Sequence, residues 1–210
     1  TGESLWWKDE LTSVTHEDGT TTMEKTGKRI TTNKWAEADY YECGDVDPDI
    51  YGGFGTSLSW KGIDFSIAFT YQLGGQVYDS GYAALMGSPT AQSKGNNIHA
   101  DILNAWTPEN PNSNIPRFQL NDEYTAATSD RFLTDASYLN LQNINVGYTL
   151  PAKISKKFLV DKFRIYVACD NVWYWSKRQG LDPRQSFSGS TSSQLYAPVR
   201  TISGGINVTF

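Results

Sequence analysis

Along most of this chain apolar and polar residues alternate with a period of two, which is how a β-strand with one apolar face reads in sequence. The clearest run is Ile63 to Leu73. Ile63, Phe65, Ile67, Phe69, Tyr71 and Leu73 fall on one face, and Asp64, Ser66, Ala68, Thr70 and Gln72 on the other. The final stretch is as regular: Ile202, Gly204, Ile206, Val208 and Phe210 alternate with Thr201, Ser203, Gly205, Asn207 and Thr209. Phe163, Ile165, Val167 and Cys169 alternate with Arg164, Tyr166, Ala168 and Asp170, and Phe54, Thr56, Leu58 and Trp60 with glycines and serines. From Tyr138 to Leu150 the phase changes near Gln142, as a β-bulge would make it do. Leu5 to Asp9 closes a further strand, so the pattern predicts six. Helical spacing occurs once, in Ile98, Ile102 and Trp106, before Pro108; it predicts a helix over 97–106 with Trp106 packed on its apolar stripe.

The links between strands alternate in length. Lys61-Gly62 is a tight turn and 151–161 a short link, whereas 10–51, 79–136 and 176–197 are long and rich in Gly, Asn, Ser, Thr, Asp and Pro. Loops of that length are uncommon in compact soluble domains. Short turns at one end and long loops at the other are the pattern of an outer-membrane barrel. A transmembrane strand needs only about 9–11 residues, so the lack of a long apolar window leaves a membrane open. Six strands do not close a barrel, since single-chain barrels begin at about eight. Either the chain is soluble or it is a piece of a larger barrel, and its opening at Thr1 without a Met favours the second.

Composition removes several other classes. The net charge of −5 disfavours nucleic acid as a partner, because no basic surface is available to neutralise phosphates. Two cysteines, Cys43 and Cys169, are too few for a disulfide scaffold or a closed zinc site. His16 and His99 have no metal-ligand spacing, and no nucleophile elbow, Walker loop or dinucleotide fingerprint occurs. Asp45, Asp47 and Asp49 start like a calcium loop, but Ile50 stands where glycine belongs and Thr56 where the bidentate glutamate belongs. A solvated acidic loop is the better reading. Asn207-Val208-Thr209 is a formal glycosylation sequon inside a strand and reads as chance. Trp60, Tyr71, Tyr148, Trp173 and Trp175 lie near strand ends, where aromatic girdles meet the lipid boundary. Of Trp6 and Trp7, a regular strand turns one inward.

From Asp45 onward an ordered series of motifs resembles SusC-like TonB-dependent receptors. It begins with Asp45-Val46-Asp47-Pro48-Asp49-Ile50-Tyr51-Gly52-Gly53-Phe54, then Trp60-Lys61-Gly62-Ile63-Asp64-Phe65-Ser66 and Tyr71-Gln72-Leu73-Gly74-Gly75. Tyr78-Asp79, Leu85-Met86, Ala105-Trp106-Thr107-Pro108-Glu109-Asn110-Pro111 and Pro116-Arg117 follow. Next come Ser137-Tyr138-Leu139-Asn140-Leu141-Gln142-Asn143 and Gly147-Tyr148-Thr149-Leu150-Pro151. Asp170-Asn171, Asp182-Pro183, Tyr196-Ala197-Pro198-Val199-Arg200 and the terminal Phe210 complete it. No single motif is specific; their succession is.

The resemblance implies an all-β fold: the last six antiparallel strands of a transmembrane barrel of about 22, with long extracellular loops. It implies that residues 1–210 form the C-terminal part of the barrel, with the plug domain and earlier strands outside them. It implies a bacterial outer-membrane importer of glycan fragments or peptides. Its partners would be a SusD-type surface lipoprotein, TonB acting through the missing N-terminal region, the remaining barrel and plug, and outer-membrane lipid. Phe210 would serve as the barrel-assembly signal, leaving the turns in the periplasm. No catalytic residue, metal or cofactor is expected. Transport selectivity would sit on the inward faces, whose polar rows are Asp64, Ser66, Thr70 and Gln72; Arg164, Tyr166 and Asp170; and Thr201, Ser203 and Asn207. The competing readings are a soluble secreted all-β carbohydrate-binding domain, whose apolar faces would bury each other, and a β-hydrolase, which needs a carboxylate pair that no motif marks.

Overall fold

The computed structural model describes residues 1–89, 95–178, 180–185, 189, 191 and 198–210. Tyr196 and Ala197 of the tail motif lie outside them. The chain forms two units: one comprises Thr1–Cys43 and Gly81–Phe132, the other Gly44–Ser80 and Leu133–Phe210.

The second unit is built on a five-stranded antiparallel sheet. Its strands are β3 (Ile50–Trp60), β4 (Ile63–Leu73), β7 (Tyr138–Thr149), β8 (Lys162–Ser176) and β9 (Thr201–Thr209), hydrogen-bonded in that order. Lys61 and Gly62 both take positive φ, 48° and 90°, the geometry of the two-residue hairpin turn whose twist matches the flanking strands. The phase change near Gln142 is a register irregularity: β7 carries an extra residue opposite Ala68 and Phe69 of β4, and β8 shifts again opposite Leu141 and Asn143. Because β7 and β8 slip at the same level, apolar residues stay on one face throughout. Between β4 and β7 in sequence, β5 (Gln76–Tyr78) and β6 (Leu133–Asp135) pair antiparallel as a separate two-stranded sheet. Here Val77, Ala136 and Leu181 form a small buried cluster, and Asp79 pairs with Arg178 at 2.9 Å. The 151–161 link contains the single turn α2 (Ala152–Ser155).

The first unit departs from expectation in two places. Leu5–Asp9 does not join the sheet. It opens β1 (Trp6–Thr15), which pairs with β2 (Thr21–Thr32) in a separate hairpin, so the large sheet has five strands where the pattern predicted six. The partner strand was hidden because every β2 residue except Thr32 is exposed, and a strand that buries no face writes no alternation. The 97–106 helix is likewise replaced by a 3₁₀ stretch over Ala100–Asn104. Ala105 turns extended, with ψ at 158°, before Pro108, and Trp106 donates its backbone N–H to Ile115 instead of closing a second turn. The helix proper of this unit is α1, Ser80–Leu85, six residues long and starting one residue before the unit's second stretch.

Candidate functional site

Register assigns every side chain of the sheet to a face. One face is apolar from edge to edge. Crossing the strands near the Lys61-Gly62 turn, Trp60, Ile63, Tyr148, Ile165 and Ile206 lie in line. Leu58, Phe65, Val146, Val167 and Gly204 follow, then Thr56, Ile67, Ile144, Cys169 and Ile202. Further along stand Phe54, Phe69, Leu141 and Trp173, then Tyr71, Leu139 and Trp175. Phe54 and Phe69 stack, with ring centroids 4.9 Å apart. The five aromatics expected at lipid boundaries thus share this face, Trp60 and Tyr148 at one end and Tyr71, Trp173 and Trp175 at the other. The ten steps of β4, at about 3.4 Å each and tilted about 40°, span about 26 Å. That equals the apolar band of an outer-membrane barrel, about 25 Å tall.

Nothing among the described residues of this unit covers that face. Leu58 is 64% exposed, Val167 56% and Ile202 71%. A soluble sandwich, which would press two such faces together, does not match this arrangement.

The other face is polar, and it carries all ten residues predicted to face inward. Asp64 and Arg164 meet across β7. Arg164 Nε donates to Asp64 Oδ1 at 3.0 Å, and a second guanidinium nitrogen donates to Oδ2. The pair closes over Gly147, where a Cβ would stand 2.4–2.6 Å from the guanidinium and both carboxylate oxygens. The Arg164 guanidinium also lies 5.0 Å from the Tyr166 ring, which rests on Gly205 of β9; a Cβ there would stand 2.6 Å from the Tyr166 hydroxyl. Asp170 accepts from Asn143 Nδ2 at 2.6 Å. Thr70 accepts from Asn140 Nδ2 at 3.2 Å, leaving Asn140 Oδ1 buried without a partner. Asn145 Oδ1, in line with Ser66, Ala168 and Ser203, is also buried and unpartnered. Gln72 aligns with Tyr138, Thr201 with Asp170, and Asn207 with Arg164.

Sequence reading found the middle strand of this face but missed its polar row. Asn140, Asn143 and Asn145 form the polar row of β7, and the signal was available: the phase change at Gln142 puts all three opposite the apolar row. Phe210 follows β9 and is 88% exposed. Asp45, Asp47 and Asp49 do not converge, and no cluster of three metal-ligating groups occurs among the described residues. Cys43 and Cys169 are both free thiols.

A sheet with one girdled apolar face and one polar face defines the wall of an outer-membrane-type barrel. Comparison with known proteins specifies it further. No protein-family model matches the chain. TonB-dependent receptor P3 of Formosa agariphila is 30% identical over 184 residues, covering 82% of this chain and 17% of that protein. TonB-dependent receptor P26 of the same organism is 28% identical over 172 residues, covering 78% of this chain and 17% of its own length. Among solved structures, the RagAB peptide transporter matches with a TM-score of 0.76 at 24% identity, covering 100% of this chain and 21% of that one. The RagAB peptide importer in its closed-closed state gives 0.73 at 23% identity, covering 97% of this chain and 23% of that one. The chain is thus similar to TonB-dependent receptors over most of its length, with the SusC-like barrel fold, and it spans about a sixth of the curated relatives it matches.

Proposed function

We propose that these residues form part of the wall of a large outer-membrane barrel that imports nutrients in the manner of SusC. The remaining strands and the plug come from the rest of the receptor. Its cargo is glycan fragments or peptides, its lid a SusD-type surface lipoprotein, and its energy comes through TonB. The chain catalyses nothing in this reading. The Lys61-Gly62 turn, the 151–161 link and Phe210 face the periplasm, and the long connections face outward. Phe210 marks the chain for barrel assembly, and the polar rows on β4, β8 and β9 line the lumen.

The observation that carries this is the pair of opposed faces. Lipid offers no hydrogen-bond partner to a backbone, so a sheet spans it only by closing on itself. An outward apolar band with aromatic ends and an inward polar surface is what such closure needs. The two relatives described above are TonB-dependent receptors, and the solved structures the chain resembles are a peptide transporter and importer.

The test is made on the native protein. An antibody against residues 110–116 should detect, in the outer-membrane fraction, a band several times larger than 23.4 kDa. Growth on the imported nutrient should stop when TonB is deleted. A band near 23.4 kDa in the soluble fraction would sink the proposal.

A further inference from the structure

The Lys61-Gly62 turn and the 151–161 link close the same end of the sheet. Thr149 donates its N–H to Gly62 O at 2.7 Å, and Asp161 donates to Thr209 O at 2.8 Å. In the link, α2 runs into a 3₁₀ turn over Lys156–Phe158. Leu159 donates its N–H to Lys156 O at 3.2 Å and Val160 to Ser155 O at 3.3 Å, which ends the turn as a Schellman cap. The left-handed position of such a cap usually holds glycine or asparagine; here it holds Leu159, with φ at 60°. The first residue of the hairpin turn, where asparagine, aspartate or glycine is usual, is Lys61, with φ at 48°. Both positions thus carry side chains that strain the backbone.

Neither side chain is buried within the fold. Leu159 is 88% exposed and its neighbour Phe158 72%. The Lys61 ammonium stands 4.8 Å from the ring centroid of Trp60, the girdle aromatic of β3. Lys153, Lys156, Lys157 and Lys162 are exposed as well. None of these five lysines forms an ion pair with a carboxylate among the described residues. Across 60–63 and 149–163, Asp161 alone opposes the five, in a chain whose net charge is −5. The cations are gathered at this end against the sign of the whole.

We infer that this end of the wall is a docking surface for anionic phospholipid, with the five lysines on the headgroups and Phe158 and Leu159 in the acyl boundary. Charge complementarity selects the headgroup, because clustered lysines beside a membrane-spanning segment attract anionic lipid. The apolar pair selects lipid over a soluble polyanion, which would leave Phe158 and Leu159 in water. The end concerned is the one that Trp60 and Tyr148 mark as a lipid boundary. A lysine at such a boundary lays its stem along apolar surface and keeps its ammonium at the headgroups, the arrangement that Lys61 already has over Trp60. The inference rests on the barrel reading of the sheet and names the class of lipid that this end selects.

The experiment uses the full-length receptor in nanodiscs of phosphatidylcholine, with and without about 30% phosphatidylglycerol, and reads amide hydrogen exchange over residues 151–161. Phosphatidylglycerol should slow exchange there about fivefold, the scale of one lysine near an anionic surface. Salt at about 0.5 M should abolish the difference, as screening requires. Lys153→Gln, Lys156→Gln, Lys157→Gln and Lys162→Gln together should abolish it too. Glycine suits the left-handed position better than leucine, so Leu159→Gly should keep the cap while the slowing shrinks. Lys28→Gln, on the exposed β2, should change nothing. Exchange indifferent to phosphatidylglycerol, a slowing that survives the four glutamines or Leu159→Gly, or the same slowing from glycerol phosphate in solution overturns the inference. So does a slowing found in native membranes but not in the phosphatidylglycerol discs, which would mark a protein partner. All of these leave the importer reading standing, since receptor size and TonB dependence test it separately.

Discussion

At the scale of single residues, the polar face is organised around small side chains that make room for large ones. Asp64 and Arg164 lie on strands separated by β7, and they meet only because Gly147 lacks a Cβ between them. Gly147→Val should force the pair apart and strain β7, costing about 1–3 kcal/mol as overpacking does elsewhere. The readout is the temperature at which the folded receptor loses its compact migration on a gel; an unchanged midpoint would show that the pair is dispensable. A second prediction concerns Glu37, which Lys8 and Lys34 grip at 2.8 and 2.9 Å. Their hydrogen bonds, Lys8's first, lower its pKa to about 2. A depressed carboxylate stabilises the folded state above its unfolded pKa, and that contribution is lost as pH falls through the folded value. Hydrogen-exchange protection of residues 33–38 should hold down to about pH 4.5 and fall away toward pH 2. Glu37→Gln should remove the pH dependence. Loss of protection already near pH 5 would contradict the assignment.

At the scale of elements, the two faces set opposite rules for substitution. Val167 and Ala168 are adjacent in β8, with Val167 in the apolar band between Val146 and Gly204 and Ala168 on the polar face between Asn145 and Ser203. Val167→Arg should cost about 2–4 kcal/mol near the bilayer midplane and reduce the assembled receptor in the outer membrane. Ala168→Arg should assemble nearly normally. Equal behaviour of the two would deny that the faces see different solvents. The same alternation explains what sequence reading reached. Strands β3, β4, β7, β8 and β9 were legible because each has one apolar face, and all ten lumen candidates share the opposite, polar face for that reason. Strand β2 was illegible because Thr21–Thr31 bury nothing on either side; its position is set by pairing with β1. The 97–106 stretch misled because Ile98, Ile102 and Trp106 have helical spacing, while the His99 ring caps the 3₁₀ stretch at its start by accepting the Asp101 N–H and the extended Ala105 ends it. The glycine seats under Arg164 and Tyr166 were also unreadable, since cross-strand contact depends on register, which no single strand encodes.

At the scale of the whole molecule, the described sheet has two open edges, β3 and β9, each hydrogen-bonded to one neighbour only. In an antiparallel edge strand, alternate residues direct their N–H and C=O groups away from the partner. About half the amides of Ile50–Trp60 and Thr201–Thr209 therefore lack ladder partners within these residues. Water would satisfy them in a soluble protein, but the same strands carry Leu58, Phe54, Ile202 and Ile206 on the girdled face, which the proposed function sets against lipid. Each unsatisfied group in hydrocarbon costs several kcal/mol, so the two requirements are met together only if both edges are paired by further strands of the receptor. In the assembled protein, hydrogen exchange should find β3 and β9 protected along their whole length, as slowly exchanging as β4, β7 and β8. Protection that alternates along either strand, fast and slow by turns, would mean that the edge stays open, and the closed-barrel reading would fail with it.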